Sequence, residues 1–308
     1  MLITLACAVI SQGGCSGWWD LSSRAPSDPV PLARSTAHEV ASAYPLTLPG
    51  KQATRRGSYV FYHDTSWLPA ETLLRELDTL PDELAEALQL PIGQTTIIQV
   101  FLFESQERYE RYMKAHYPHL PIRRAYFLQE PRPGGRGDLK VFTWMGDQLH
   151  TDLRHELTHA LLHGTLKDVP LWLDEGLASC FEWPGSQRGI HPQHLEHLRR
   201  HGVQPDLARL ERLERVDEME KPEYREAWAW THFLLYGPPP ARQLLREYVQ
   251  QLRHNPRPGP LLPRLQQSFP DPAAALLDHL NQLDWPARHL SPPAQVQSSQ
   301  VSPRNGQP

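Results

Sequence analysis

Two hydrophobic periods run along the chain, and their order sets the expected fold. Four β-branched or aromatic runs, "SYVFYHD" (58–64), "TTIIQVFLF" (95–103), "AYFLQ" (125–129) and "LKVFTWM" (139–145), predict strands. Apolar positions three and four residues apart predict helices over 69–89 and 105–116 among them. After residue 146 only the helical period remains, over 147–164, 170–183, 192–201, 222–236, 240–254 and 272–283. The predicted class is α+β: a small mixed α/β unit with a short sheet (57–150), followed by an all-helical half (151–285). Residues 16–56 are rich in Ser, Ala, Pro and Gly and carry neither period, which predicts a flexible tether. Residues 286–308 read as a disordered tail. No internal repeat is present.

The amino end changes the picture of where the chain works. "MLITLACAVI" is too short an apolar run to span a bilayer and suits the core of a signal peptide. "SQGGCSGWW" follows, and a Cys after two small residues resembles a bacterial lipobox, which makes Cys15 the expected lipidated residue and 1–15 the signal. Gln12 stands where Leu is usual, and no Lys or Arg precedes the run. The expectation is an exported protein, lipid-anchored on the periplasmic face of a bacterial membrane; plain secretion and a cytosolic location are the alternatives. No other segment reaches 18 apolar residues. After processing only Cys180 would remain, so no internal disulfide is expected, and its apolar neighbours predict a buried, inert thiol. A net charge of −4 with 21% charged residues favours neither nucleic acid nor an anionic membrane surface.

The chemistry concentrates in "RHELTHALLHGT" (154–165). On a helix His155 and His159 project about 40° apart and one turn apart, so both imidazoles can reach one ion. Glu156 points about 100° from His155, beside the ion, which suits a general base acting on metal-bound water. Leu153, Leu157, Ala160, Leu161 and Gly164 form the opposite face, predicted buried while the histidines look into a cleft. His163 is two turns from His155, about 12 Å in rise, too far to share the ion, and reads as a polar rim residue. Leu162 and Thr165 stand where an HExxHxxGxxH pattern needs Gly and His. The third ligand is expected from "PLWLDEGLASCFEW" (170–183): Glu175, on a second helix starting near Pro170, completes a His2Glu set and leaves a fourth position for water. Gly176 beside it predicts close approach of another backbone.

"HELTHALL" followed by "VPLWLDEGLA" resembles the gluzincin metallopeptidases and, more narrowly, the peptidase-MA-like bacterial proteins, many of them lipoproteins of uncharacterised function. The match is close over about 155–182 and loose from about 58 to 236; the usual Pro is kept as Pro170, with Val169 where Leu is common. The resemblance implies a zincin-like fold with an active-site cleft between the two halves. It implies one Zn2+ ion held by His155, His159 and Glu175, with Glu156 as catalytic base. Thermolysin-like members carry an Asp four residues after the third ligand to orient the first His; Ser179 stands there, and Asp152 is the substitute candidate. Gluzincins also place a Tyr or His from a later helix at the oxyanion. "PEYREAWAWTHFLLYG" (222–237) offers Tyr224, His232 and Tyr236, with Tyr224 favoured and ordinary packing the plain alternative. They also pair substrate with an open edge strand, for which 139–145 is the natural candidate. The cluster His191, His194, His197 and His201 winds around its helix and reads as a solvated face, not a second metal site.

The expected activity is therefore hydrolysis of a peptide or protein substrate. Zinc would lower the pKa of its water, and Glu156 would take the proton and deliver it to the leaving amine. The alternatives are a non-catalytic metal- or peptide-binding lipoprotein that retains the fold, for which Glu156 would have no use, and a cytosolic zinc hydrolase.

Overall fold

Alternation in the strands decides which side of the sheet each residue serves. A computed structural model describes residues 6–7, 46–64, 71–93, 96–132 and 137–284. Most of the expected signal peptide, Cys15, the tether up to residue 45 and the tail lie outside the described residues. The sheet is built from β1 (Ala6–Cys7), β2 (Gln52–Arg56), β3 (Tyr59–His63), β4 (Ile98–Phe103), β5 (Tyr126–Glu130) and β6 (Asp138–Trp144). Its spatial order is β1-β5-β6-β4-β3-β2. β3, β4 and β6 are parallel, whereas β2 and β5 pair antiparallel to β3 and β6. β1 adds two residues outside β5, antiparallel, with Ala6 opposite Leu128 and Cys7 opposite Phe127.

Two predictions change here. Residues 139–145 do not form an open edge: β6 lies between β4 and β5, and β5 is itself flanked by the two residues of β1. A connection through α2 (Gln106–His116) and β5 returns the chain beside β4, so neighbours in sequence are not neighbours in the sheet. The expected tether also ends too late, because Gln52–Arg56 is a strand paired along its length with β3.

Each face of the sheet has its own core. On one, Phe101, Phe103, Tyr126, Leu128, Phe142 and Trp144 pack against Tyr109, Tyr112 and Met113 of α2. On the other, Phe61, Val100, Phe127 and Val141 meet the leucine stripe Leu74, Leu77, Leu80, Leu84 and Leu88 of α1 (Glu71–Leu88) and the helix that follows the sheet, α3 (Leu149–Thr165). The helical half continues with α4 (Leu171–Phe181), α5 (Pro192–His201), α6 (Leu207–Leu210), α7 (Lys221–Tyr236), α8 (Pro239–Leu252), α9 (Leu262–Ser268) and α10 (Pro272–Gln282). Among the described residues no helix is long and apolar enough to cross a membrane.

Three contacts fix the helices around the predicted motif. α3 is buried on nearly every side from Leu149 to His163, between the sheet, α1 and α4, so its histidine face does not open to solvent. Arg154 is fully buried: it donates to the carbonyls of Phe181 at 2.8 Å and Glu76 at 3.2 Å and pairs with Glu83 at 2.7 Å, tying α1 and the end of α4 to α3. Gly176 brings α4 against α7 as expected: a Cβ there would sit 2.6 Å from the Ala227 carbonyl oxygen and closer still to Thr231 Oγ1.

Candidate metal centre

His155 and His159 lie one turn apart on α3, with ring centroids 4.8 Å apart. Glu175 reaches them from α4: its Oε2 is 3.4 Å from His155 Nε2 and 3.8 Å from His159 Nε2. Such separations suit donors about 2 Å from a shared ion. All three residues are buried, and their ligand atoms lie within 4.8 Å of one another. His155 Nε2, His159 Nε2 and both Glu175 oxygens are buried without a hydrogen-bond partner. Polar atoms stripped of water and left unpaired are costly, and a cation held at their convergence would satisfy all of them. The group can therefore hold a metal ion.

The opposite nitrogens explain why the Nε2 atoms converge. His155 Nδ1 donates to Glu182 Oε1 at 2.7 Å, and His159 Nδ1 lies 3.0 Å from Asp174 Oδ1. A carboxylate on Nδ1–H fixes the tautomer and turns the Nε2 lone pair toward the ion. Each carboxylate has a second imidazole. Asp174 Oδ2 accepts from His163 Nε2 at 2.9 Å, and Glu182 Oε2 lies 3.2 Å from His191 Nε2. Burial opposes charge on both acids, but His159 and His163 around Asp174, and His191 and His155 around Glu182, hold both carboxyls well below their usual range.

Several expectations are corrected by this shell. His163 is not a rim residue; it is buried against Phe127 and bonded to Asp174, although it stays outside the ligand group. Asp152 does not orient His155. It pairs with Arg124 at 3.2 Å, and burial, partly offset by Arg124, pushes its carboxyl up to about 7. Ser179 is buried and Glu182, three residues further, fills the orienting role. His191 and His194 do not form a solvated face: both are buried and their rings stack at 3.6 Å. Cys180 is a free, buried thiol whose pKa burial raises, as expected.

Glu156 is fully buried beside the ligand group but is not part of it. The backbone amide of Phe127 on β5 faces its carboxylate without closing a hydrogen bond. Burial pushes Glu156 up to about 8, against the opposing pull of His155 and with the help of Glu175.

The three candidates on α7 differ in their partners. The Tyr224 hydroxyl accepts from Arg123 Nη1 at 3.5 Å, and the Arg123 guanidinium in turn lies within electrostatic range of Glu175. His232 is committed elsewhere, bonded to His279 at 2.8 Å and to the Arg188 carbonyl at 3.1 Å. Tyr236 packs against His232 and would meet a Cβ at Gly189. Arg123 escaped the reading of the sequence; its signal was a basic residue just ahead of a strand that ends beside the motif. No protein-family model matches the chain, and no curated protein matches it.

Proposed function

We propose that the protein is a zinc-dependent metallopeptidase of the gluzincin kind, exported and tethered through Cys15. The observation that carries this reading is a buried His155–His159–Glu175 group with an uncoordinated carboxylate, Glu156, at its side. A purely structural site has no need of that fourth acidic group, and a buried carboxyl without a hydrogen bond is costly to keep. Zinc held there would supply Lewis acidity toward a water and a substrate carbonyl. Glu156 would be the group that takes a proton beside the ion and returns it to the leaving amine. Tyr224 donates to the oxygen on which charge develops, and Glu182 and Asp174 hold the ligand rings in one tautomer.

The edge of β5 away from β6 is the one on which a peptide would lie, since β5 packs on α3, which carries Glu156. β1 takes that position here. Removal of residues 1–15 on export would take β1 away and expose that edge of β5.

The burial of the group favours a second reading, a metal-binding protein without turnover. Glu156→Gln separates the two. Zinc content should stay stoichiometric while peptide hydrolysis falls by about 10²–10⁴-fold, the usual contribution of a general base. A variant as active as the wild type would overturn the mechanism, and a wild type without stoichiometric zinc would overturn the whole reading.

A further inference from the structure

An imidazole carries its hydrogen on the nitrogen that its neighbours leave free to donate, and at His191 two neighbours decide which one that is. His191 is the N-cap of α5, and its Nδ1 accepts from the backbone amide of His194 at 3.3 Å. A ring nitrogen that accepts carries no hydrogen, so the hydrogen is on Nε2. That nitrogen lies 3.2 Å from Glu182 Oε2. The other oxygen of the same carboxylate, Oε1, is 2.7 Å from His155 Nδ1. An ionised carboxylate offers only acceptors, so both rings present an N–H to it. The order is therefore set from one end: the His194 amide donates to His191, and His191 and His155 donate to Glu182. The lone pair of His155 Nε2 is left for the side on which His159 and Glu175 stand.

Packing holds the His191 ring in that pose. The ring of His194 lies on it with centroids 3.6 Å apart and planes 7° apart, and Trp228 meets the two rings edge to face at 6.4 and 5.9 Å. Ser, Thr, Asp and Asn are the usual N-caps, and each would satisfy the His194 amide. Histidine adds what they lack, a second polar atom on the far side of a rigid ring. We propose that His191 is a positioning residue for the metal centre: it caps α5 with one nitrogen and donates to Glu182 with the other, which holds Glu182 on His155 Nδ1 and keeps His155 Nε2 turned toward His159 and Glu175. This inference rests on the reading of His155, His159 and Glu175 as zinc ligands and does not depend on turnover.

Two amide variants separate the two tasks of the ring. Asparagine ends where Nδ1 stood, so His191→Asn keeps an acceptor for the cap and loses the donor to Glu182. Glutamine reaches to the place of Nε2, so His191→Gln keeps the donor and loses the cap. Zinc affinity, measured by competition against a chelator, is expected to fall about tenfold in His191→Asn and to stay within about threefold of wild type in His191→Gln. Tm of the zinc-free proteins should run the other way, lower in His191→Gln than in His191→Asn by about 2–4 °C. A merely structural histidine would move affinity and Tm together. In a Glu182→Gln background, His191→Asn should cost no further affinity, because the group it acts through is already altered. In zinc-loaded wild type, nitrogen–proton correlation spectra of the histidine rings should place the hydrogen of His191 on Nε2 and that of His155 on Nδ1. A hydrogen on His191 Nδ1 overturns the proposal even where a variant fails to fold. Wild-type affinity in His191→Asn, equal losses in the two variants, or a loss that adds in full to that of Glu182→Gln overturns it as well. A wild type that binds no zinc overturns the reading of the centre itself, whereas a zinc-loaded protein without hydrolysis counts against the peptidase reading alone.

Discussion

Each ligating imidazole is answered by its own carboxylate, and each carboxylate by a further imidazole. His155 leans on Glu182 and His191, and His159 on Asp174 and His163. Losing the charge on one of these acids while keeping its shape should loosen the metal without unfolding the site. Glu182→Gln is expected to weaken zinc binding by about 10–100-fold in a competition titration against a chelator. Asp152→Asn, whose carboxylate meets Arg124 instead, should leave affinity within about twofold. Equal losses in the two variants would contradict the assignment. The ligand set itself was readable from spacing, because i, i+4 on a helix is a local rule and "DEG" follows on a second helix. Glu182 was harder to see: it lies seven residues past Glu175, two turns along the same helix, and a carboxylate two turns away looks like any surface glutamate until the helix is known to be buried. His163 was misplaced for a related reason. Its distance from His155 correctly kept it off the ion, but helix geometry alone does not say what covers that end of α3.

Among the elements, those with strong apolar periods stand close to their predicted bounds, and those without were missed. β2, "QATRR", is an outer strand with mostly exposed side chains; it is held by main-chain pairing to β3 and by Arg56 bridging to Glu71 and Asp78, none of which leaves a hydrophobic alternation. The open edge was assigned to β6 because the resemblance puts it on the strand before the motif helix; chain order does not show that β5 lies outside β6 in the sheet. α10 shows a different use of polar residues. His279 Nε2 on α10 meets His232 Nδ1 of α7 at 2.8 Å, in surroundings where Arg188 offers a carbonyl and Tyr236 a ring face. Burial lowers His232 to about 3 and His279 to about 4, and charge on His279 or Arg188 further disfavours charge on His232, against a smaller opposing pull from the Arg188 carbonyl. Both pKa values in the folded state lie below the ordinary value, so the stabilisation is complete above about pH 6.5 and is lost as pH falls toward 4. Stability measured by urea unfolding should decline over that window by up to about 1.4 kcal/mol per pH unit for each proton taken up. His279→Gln keeps a donor for His232 Nδ1 but cannot titrate, so its decline should be shallower by as much as one proton. An unchanged slope in that variant would place the acid sensitivity elsewhere.

At the scale of the whole molecule, the candidate metal group lies where the helical half packs on the sheet. The candidate ligands sit on α3 and α4, α3 packs on β5 and β6, and Gly176 lets α7 close on α4. The three ligand atoms converge only when α3 and α4 are packed, so an ion bound to them is bound by the folded chain and not by the unfolded one. Binding must then appear as stability: zinc at a hundred times its Kd adds about 2.7 kcal/mol. For a folded region of this size that corresponds to a rise in Tm of roughly 5–10 °C when zinc is returned to chelator-treated protein. Glu175→Ala removes a ligand and should abolish the rise. Glu156→Gln removes only the proton acceptor and should keep it. A rise that survives in Glu175→Ala would mean that zinc stabilises the chain from another place, and a rise lost in Glu156→Gln would make Glu156 a ligand. Reading the two variants side by side therefore separates holding the ion from handling the proton, without relying on a substrate.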